Sequence, residues 1–310
     1  MRKLIIRVIC CFIPIRKWRH QTRNFLNQID FKKIKNFNKT PLHYYTLRIN
    51  FGDVLNENLM NFFGKKFYHT YAKTAKLTCI GSLLSDFLVI PERQKSTQPM
   101  HIFGSGFIKE PDLKNEYFYR PMVFHALRGK LSKERCEKII GVKLSDIPLG
   151  DPALLIRHMF PNIKANPVYD VGIICHYVDK NSPFLKNIQF KKLKVKYIDI
   201  AQKPSDFIPE VAKCKFILSS AMHGLICADS LGIPNKHIIL SNKVIGGEYK
   251  FKDYYSVFKD FKYRPVDLRN TVIKDSDIQK YLSEYTITSD EIEKICDNLI
   301  KAFPKKGKIK

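Results

Sequence analysis

Short apolar runs alternate with amphipathic segments of helix length along most of the chain, and several of the runs end directly in a glycine or serine turn. Tyr44 to Ile49 reads as a first strand. A helix from Asp53 to Phe63 follows, with Leu55, Leu59, Phe62 and Phe63 on one face. Leu77–Ile80, Met100–Phe103 and Val123–Leu127 read as further strands. Ser132 is placed to cap a helix running to Ile140, and Gly141 to stop it. The segment 160–169 carries Pro161 and Pro167 and reads as a hinge. A second series then begins, with strands at Val171–His176, Val195–Ile200, Phe216–Ser219 and His237–Leu240 and a helix at Ser205–Ala212. Thr288 to Glu291 is a capping box for a last helix that turns Ile292, Ile295, Leu299 and Phe303 inward. The alternation predicts an α/β fold with mainly parallel sheets. It divides into an N-terminal domain over 44–160 and a C-terminal domain over 168–304, with a cleft between.

The stretch Ser219 to Pro234 is the most informative one. It passes from a buried strand through a tight turn into an Ala/Leu/Ile-rich helix that closes at Gly232. His223 therefore lies where a strand hands over to a helix, on the carboxyl edge where open α/β sheets bind ligands. Helix N-termini there favour anions. An imidazole beside an anion site suggests acid/base chemistry on a phosphorylated or carboxylated substrate. The plainer alternative is a core histidine satisfied by backbone.

Charge adds a second constraint. Of 310 residues, 54 are Lys or Arg and 29 Asp or Glu, a formal net charge of +25 that favours a polyanionic partner. No zinc-finger spacing, RNP-type strand or basic heptad region is visible, so nucleic acid is not expected. The first twenty residues run basic, apolar, basic, with Trp18 near their end. They are too short to span a bilayer and suit either an interfacial helix on an anionic membrane, a core helix or a disordered basic arm. Residues 1–43 read as a lead-in and 305–310 as a basic tail. The eight cysteines include no C-x-x-C pair, which points to a reducing compartment, no metal and a cytoplasmic protein, with the membrane's inner face as one location.

Seven ordered segments resemble the polysaccharide pyruvyltransferase family across roughly residues 44 to 258. They are Asn50-Phe51-Gly52-Asp53, Gly81-Ser82, Gly104-Ser105-Gly106, Leu127 to Ser132, Leu149 to Leu155, the His223 segment and Tyr249 to Tyr255. Ala221-Met222-His223-Gly224 is most similar to the succinoglycan-type branch. Most other members carry Arg where this chain has Ala221, so another cation must serve the expected phosphate site.

The resemblance implies two Rossmann-like domains facing across a cleft (GT-B-like). It also implies transfer of the pyruvyl group of phosphoenolpyruvate to two hydroxyls of a sugar or lipid-linked oligosaccharide, with no cofactor. His223 is the candidate acid/base, and Lys243 and Lys252 are the candidate cations. Arg128 suits a carboxylate or phosphate through its planar fork. Asn50, Gly52, Asp53, Gly104, Ser105, Gly106 and Ser219 complete the candidate substrate-binding set, although Asp53 and Asp151 also suit helix caps. Two rivals remain open from sequence: a nucleotide-sugar glycosyltransferase of the same fold, and a non-catalytic scaffold.

Overall fold

The computed structural model describes residues 38–89, 97–112, 115–304 and 309. The basic N-terminal segment and nearly all of the basic tail lie outside the described residues. The first part of the chain contains β1 (Thr40–His43), α1 (Phe51–Phe62), β2 (Phe67–His69), β3 (Leu77–Thr78), β4 (Met100–Phe103), β5 (Met122–Ala126), α2 (Lys130–Ile140) and α3 (Ile156–Met159). It continues with β6 (Tyr169–Cys175), β7 (Ile188–Gln189), β8 (Val195–Asp199), α4 (Pro204–Ala212), β9 (Cys214–Ser219), α5 (Met222–Ser230) and β10 (Asn235–Ile239). The last elements are α6 (Tyr249–Tyr255), β11 (Val266–Asp267), β12 (Ile273–Lys274), α7 (Asp275–Glu284) and α8 (Ser289–Ala302).

Two five-stranded sheets result, in the orders β2-β1-β3-β4-β5 and β11-β10-β9-β6-β8, while β12 and β7 form a small ribbon. Every strand pairing in both large sheets is parallel. Parallel strands are covered on both faces, so their inner members are mostly apolar. All four residues of β4 are buried, as are the last four of β9. In each sheet the strand order reverses once, between β1 and β3 and between β6 and β9. Ligand crevices of open sheets lie at such reversals, beyond the carboxyl ends of the strands.

The halves share a core. One apolar cluster includes Leu42, Phe51 and Phe103 from the first sheet's side and Ile174, Phe207 and Leu225 from the second. Phe51 stacks on Phe207 with ring centroids 4.2 Å apart, and its N–H donates to Ile200 O at 2.9 Å. The chain's end returns to the first sheet, where Phe303 stacks on Phe63 at 3.7 Å and meets Phe103 edge-on.

Most expected elements form, with shifted ends. The exception is Tyr44–Ile49, which is irregular: the first strand lies earlier, at Thr40–His43, inside the segment read as lead-in. Leu47 and Ile49 are exposed, so their apolar alternation finds no neighbouring strand or core. Instead the segment carries the chain to Asn50, whose side chain accepts from Gly52 N–H and caps α1. Ser132 also differs from its expected role. Helix α2 starts at Lys130, and the Ser132 hydroxyl lies inside its first turn, donating to Asp253.

Candidate active site

His223 opens α5 directly beyond the carboxyl end of β9, at the reversal point of the second sheet. Across from it stands the start of α1, which follows the reversal point of the first. A methyl group added at Gly52 would fall 2.0 Å from His223 Nδ1, so only glycine leaves room for the ring. The other ring nitrogen, Nε2, lies 3.9 Å from Asp151 Oδ2. Both atoms are buried without a hydrogen-bond partner. Buried polar atoms are nearly always satisfied, so two facing unpaired atoms set this place apart from the surrounding core.

The electrostatics agree. Burial, aided by the nearby Arg128, Lys250 and His176 charges, lowers the His223 imidazole to about 3, which leaves it neutral near pH 7. Burial raises the Asp151 carboxyl to about 6, against an opposing backbone hydrogen bond from Ala153. Asp53, in the first turn of α1, is pushed up to about 7 by burial, with Lys250 and Asn50 pulling the other way. His176, just past β6, is lowered to about 4 by burial and by Lys250.

Lys250 recurs in this list, and sequence reasoning passed it over. It sits in α6, 8% exposed, and its ammonium makes no hydrogen bond or ion pair among the described residues. Burial and the Arg128 charge lower it to about 8, with Asp53 and Asp179 opposing. A signal was present. Lys250, Asp253 and Tyr254 are spaced to share one helical face, and Lys252 falls on another. In the structure Lys252 is exposed and pairs with Glu248 at 3.4 Å, while Lys243 is exposed in the loop after β10.

Several candidates turn their polar groups to the protein itself. Arg128 is fully buried, with Nε donating to Asp253 Oδ2 at 2.9 Å, Nη1 to Ser82 Oγ at 2.6 Å and Nη2 to Phe107 O at 2.6 Å. Asp253 also accepts from Ser132 N–H and Oγ, which fixes α6 against α2. Gly106 leaves space for the Arg128 guanidinium, and Gly104, at φ 76°, for the Pro152 ring. Ser105 Oγ donates to Gly81 O and accepts from Leu83 N–H. Ser219 Oγ bonds within its own turn and to Ile174 O. These residues shape the site without offering it a free group. Asn50 likewise serves α1 as its cap, and Asp151 Oδ1 caps the turn at Pro152.

The family model described as "Polysaccharide pyruvyl transferase" matches residues 50–242. The chain belongs to this family. Its match takes in Gly52, Asp53, Arg128, Asp151 and His223, and stops short of Lys250. An uncharacterised protein of Acanthamoeba polyphaga mimivirus is 30% identical over 234 residues, covering 70% of this chain and 74% of that protein. A solved structure of a functionally uncharacterised Klebsiella pneumoniae protein matches 74% of this chain and 92% of its own at 13% identity, with a TM-score of 0.40.

The family is one of transferases acting on polysaccharide. Beside the His223 crevice a cavity of about 390 Å³ opens over the ends of the second sheet, with Asp179, Ser220, His237, Ser241, Lys243 and Phe251 in its wall. Among the described residues, no group of three His, Cys, Asp or Glu side chains is arranged to hold a metal. None of the helices there is long and apolar enough to cross a membrane.

Proposed function

We propose that the chain transfers the pyruvyl group of phosphoenolpyruvate to two hydroxyls of one sugar, forming a ketal during synthesis of a cell-surface polysaccharide. One proton must reach the vinyl carbon to make a methyl group, both hydroxyls must add to the adjacent carbon, and phosphate leaves with the second proton. The observation that carries the reading is the orphaned pair His223 Nε2 and Asp151 Oδ2, 3.9 Å apart at the head of α5, with Lys250 buried nearby.

In this reading the neutral His223 takes the proton of the incoming hydroxyl at Nε2, and Asp151 steadies the resulting imidazolium. Lys250, protonated near pH 7 but with its proton loosened by burial, attracts the donor's anionic groups and can supply a proton to the vinyl carbon. It takes the place of the cation that Ala221 lacks. Arg128 contributes charge from behind while its hydrogen bonds hold α6 in position.

We also take the two sheets as Rossmann-like halves of a GT-B-like arrangement, over 44–160 and 168–304, meeting at this site. The protein would be cytoplasmic, and the basic, apolar segment 1–20 would bring it to the inner membrane face, where lipid-linked sugars are assembled. Salt-sensitive binding to anionic vesicles, weakened by deletion of 1–20, tests that location. The reaction itself is tested by following isotope from labelled phosphoenolpyruvate. Label in the sugar together with phosphate release supports the assignment, and strict dependence on a nucleotide sugar refutes it.

A further inference from the structure

The cavity beside His223 differs in chemical character from the Lys250 side of the crevice. Asp179, 1% exposed, forms part of its wall. One carboxylate oxygen accepts from Ser241 Oγ, and the other is buried with no partner. A carboxylate oxygen can only accept, so what is missing is a donor. Ser220, Ser241 and Asn242 add hydroxyl and amide groups to the same wall, and Phe251 adds an apolar surface. Lys243 and Arg269 also line the cavity, so a cationic ligand would meet like charge. An anion would meet the Asp179 carboxylate. A neutral, hydroxyl-rich ring fits both constraints.

From this geometry we infer that the cavity is the acceptor subsite, taking a neutral sugar ring whose hydroxyl donates to the unpartnered oxygen of Asp179. The inference rests on the reading of the chain as a transferase to sugar hydroxyls. It adds the location of the acceptor and the residue that recognises it. The volume of about 390 Å³ lies in the range of small-molecule pockets and accommodates a single ring with room for its substituents. Continuity with the reacting centre is built into the chain. Ser220 lies on the turn that leads into His223, and its hydroxyl accepts from His176 N–H at 2.9 Å. Phe251 is the neighbour of Lys250 in α6. The cavity wall thus shares the turn before α5 and the helix α6 with the two groups assigned to proton transfer.

The test uses full-length protein and three probes: methyl α-D-glucopyranoside, methyl α-D-mannopyranoside and methyl β-D-galactopyranoside. Saturation-transfer NMR reports ring contact, and calorimetry separately reports phosphoenolpyruvate affinity. Asp179→Asn keeps an acceptor for Ser241 and turns the orphan position into a donor. It should weaken the bound sugar by roughly ten-fold or more, the loss expected for a hydrogen bond to a charged acceptor, while phosphoenolpyruvate still binds. Ile245→Trp provides a second variant at an exposed position in the cavity wall, where folding is not at stake. It should also reduce sugar contact.

Unchanged sugar affinity in both variants, or no contact by any probe at millimolar concentration with phosphoenolpyruvate bound, overturns the subsite and leaves the donor reading intact. Loss of sugar contact in the variants of a protein that never binds phosphoenolpyruvate upholds the subsite and removes the donor. A protein that binds neither overturns both.

Discussion

Two buried cations flank His223, and they are provided for in opposite ways. Arg128 lies at the end of β5 with each of its three nitrogens donating, to Asp253, Ser82 and a backbone carbonyl. Lys250 lies one helical turn before Asp253 on α6, 8% exposed, with its ammonium 5.6 Å from the Phe251 ring centre but in no hydrogen bond or ion pair among the described residues. A charge with a full set of partners is part of the scaffold. One kept in the interior without them is costly to the fold unless a ligand completes it. The same division separates Ser105 and Ser219, which are spent on their own turns, from Asp151, His223 and Asp179, which each keep an atom unpaired.

The largest expected effect falls on the unpaired side. His223→Gln should lower turnover by roughly 10²–10⁴, the usual contribution of a positioned acid/base group. Because Nε2 has no protein partner to lose, the thermal midpoint should move little. Near-normal turnover in folded H223Q protein would make the histidine structural.

The paired side should respond in stability. Arg128→Met leaves the fully buried Asp253 without its cation, which should cost about 3–5 kcal/mol in urea unfolding. If R128M unfolds at the wild-type midpoint while its affinity for phosphoenolpyruvate collapses, the arginine is a ligand-binding group and the comparison fails.

The pH dependence comes next. Lys250 is faced by Arg128, His176, His223 and His237 and by the carboxylates of Asp53 and Asp179. Lowered to about 8, it keeps its proton below that pH and loses it above. Asp151, raised to about 6, is ionised only above that pH. The kcat/KM profile should therefore rise through about pH 6 and fall through about pH 8, with Asp53, raised to about 7, titrating between and His223, already neutral, adding no limb. Lys250→Arg should remove the alkaline limb. A limb that persists in K250R belongs to another group.

Gly52→Ala makes the smallest chemical change. Its methyl would collide with the imidazole, so the ring must move away from its present contact. Turnover should fall while substrate affinity holds. Wild-type turnover in G52A would show that the contact across the two sheets is not needed.

Much of this arrangement was legible in the sequence because burial enforces the pattern that was read. Met100–Phe103 and the strand leading to His223 are mostly apolar and mostly buried runs, the pattern that coverage on both faces of a parallel sheet imposes. Thr288 caps α8, its hydroxyl accepting from Glu291 N–H, while the Glu291 carboxylate expected to complete a capping box accepts from Lys259 N–H instead. Tyr44–Ile49 misled because alternation reports a strand only where one face finds a core, and Leu47 and Ile49 find none. Arg128 and Lys250 were the harder cases. A run of letters shows that a cation is present at a strand end or in a helix. It does not show that Asp253, distant in sequence, has already claimed the arginine. Nor does it show which of Lys250 and Lys252 faces inward, until the helical register of 249–255 is fixed by Tyr254 donating to the buried Asp229.

If the buried lysine, and not its exposed neighbours, meets the anionic donor, the three lysines will respond differently to substitution. Steady-state kinetics of phosphate release from phosphoenolpyruvate in Lys250→Met, Lys252→Met and Lys243→Met test it most directly. K250M should raise the KM for phosphoenolpyruvate by roughly ten-fold or more, the loss of a charge-assisted contact, while the other two stay within about two-fold of wild type. A K250M enzyme with unaltered kinetics, or a K252M or K243M enzyme that loses the donor in its place, would contradict it.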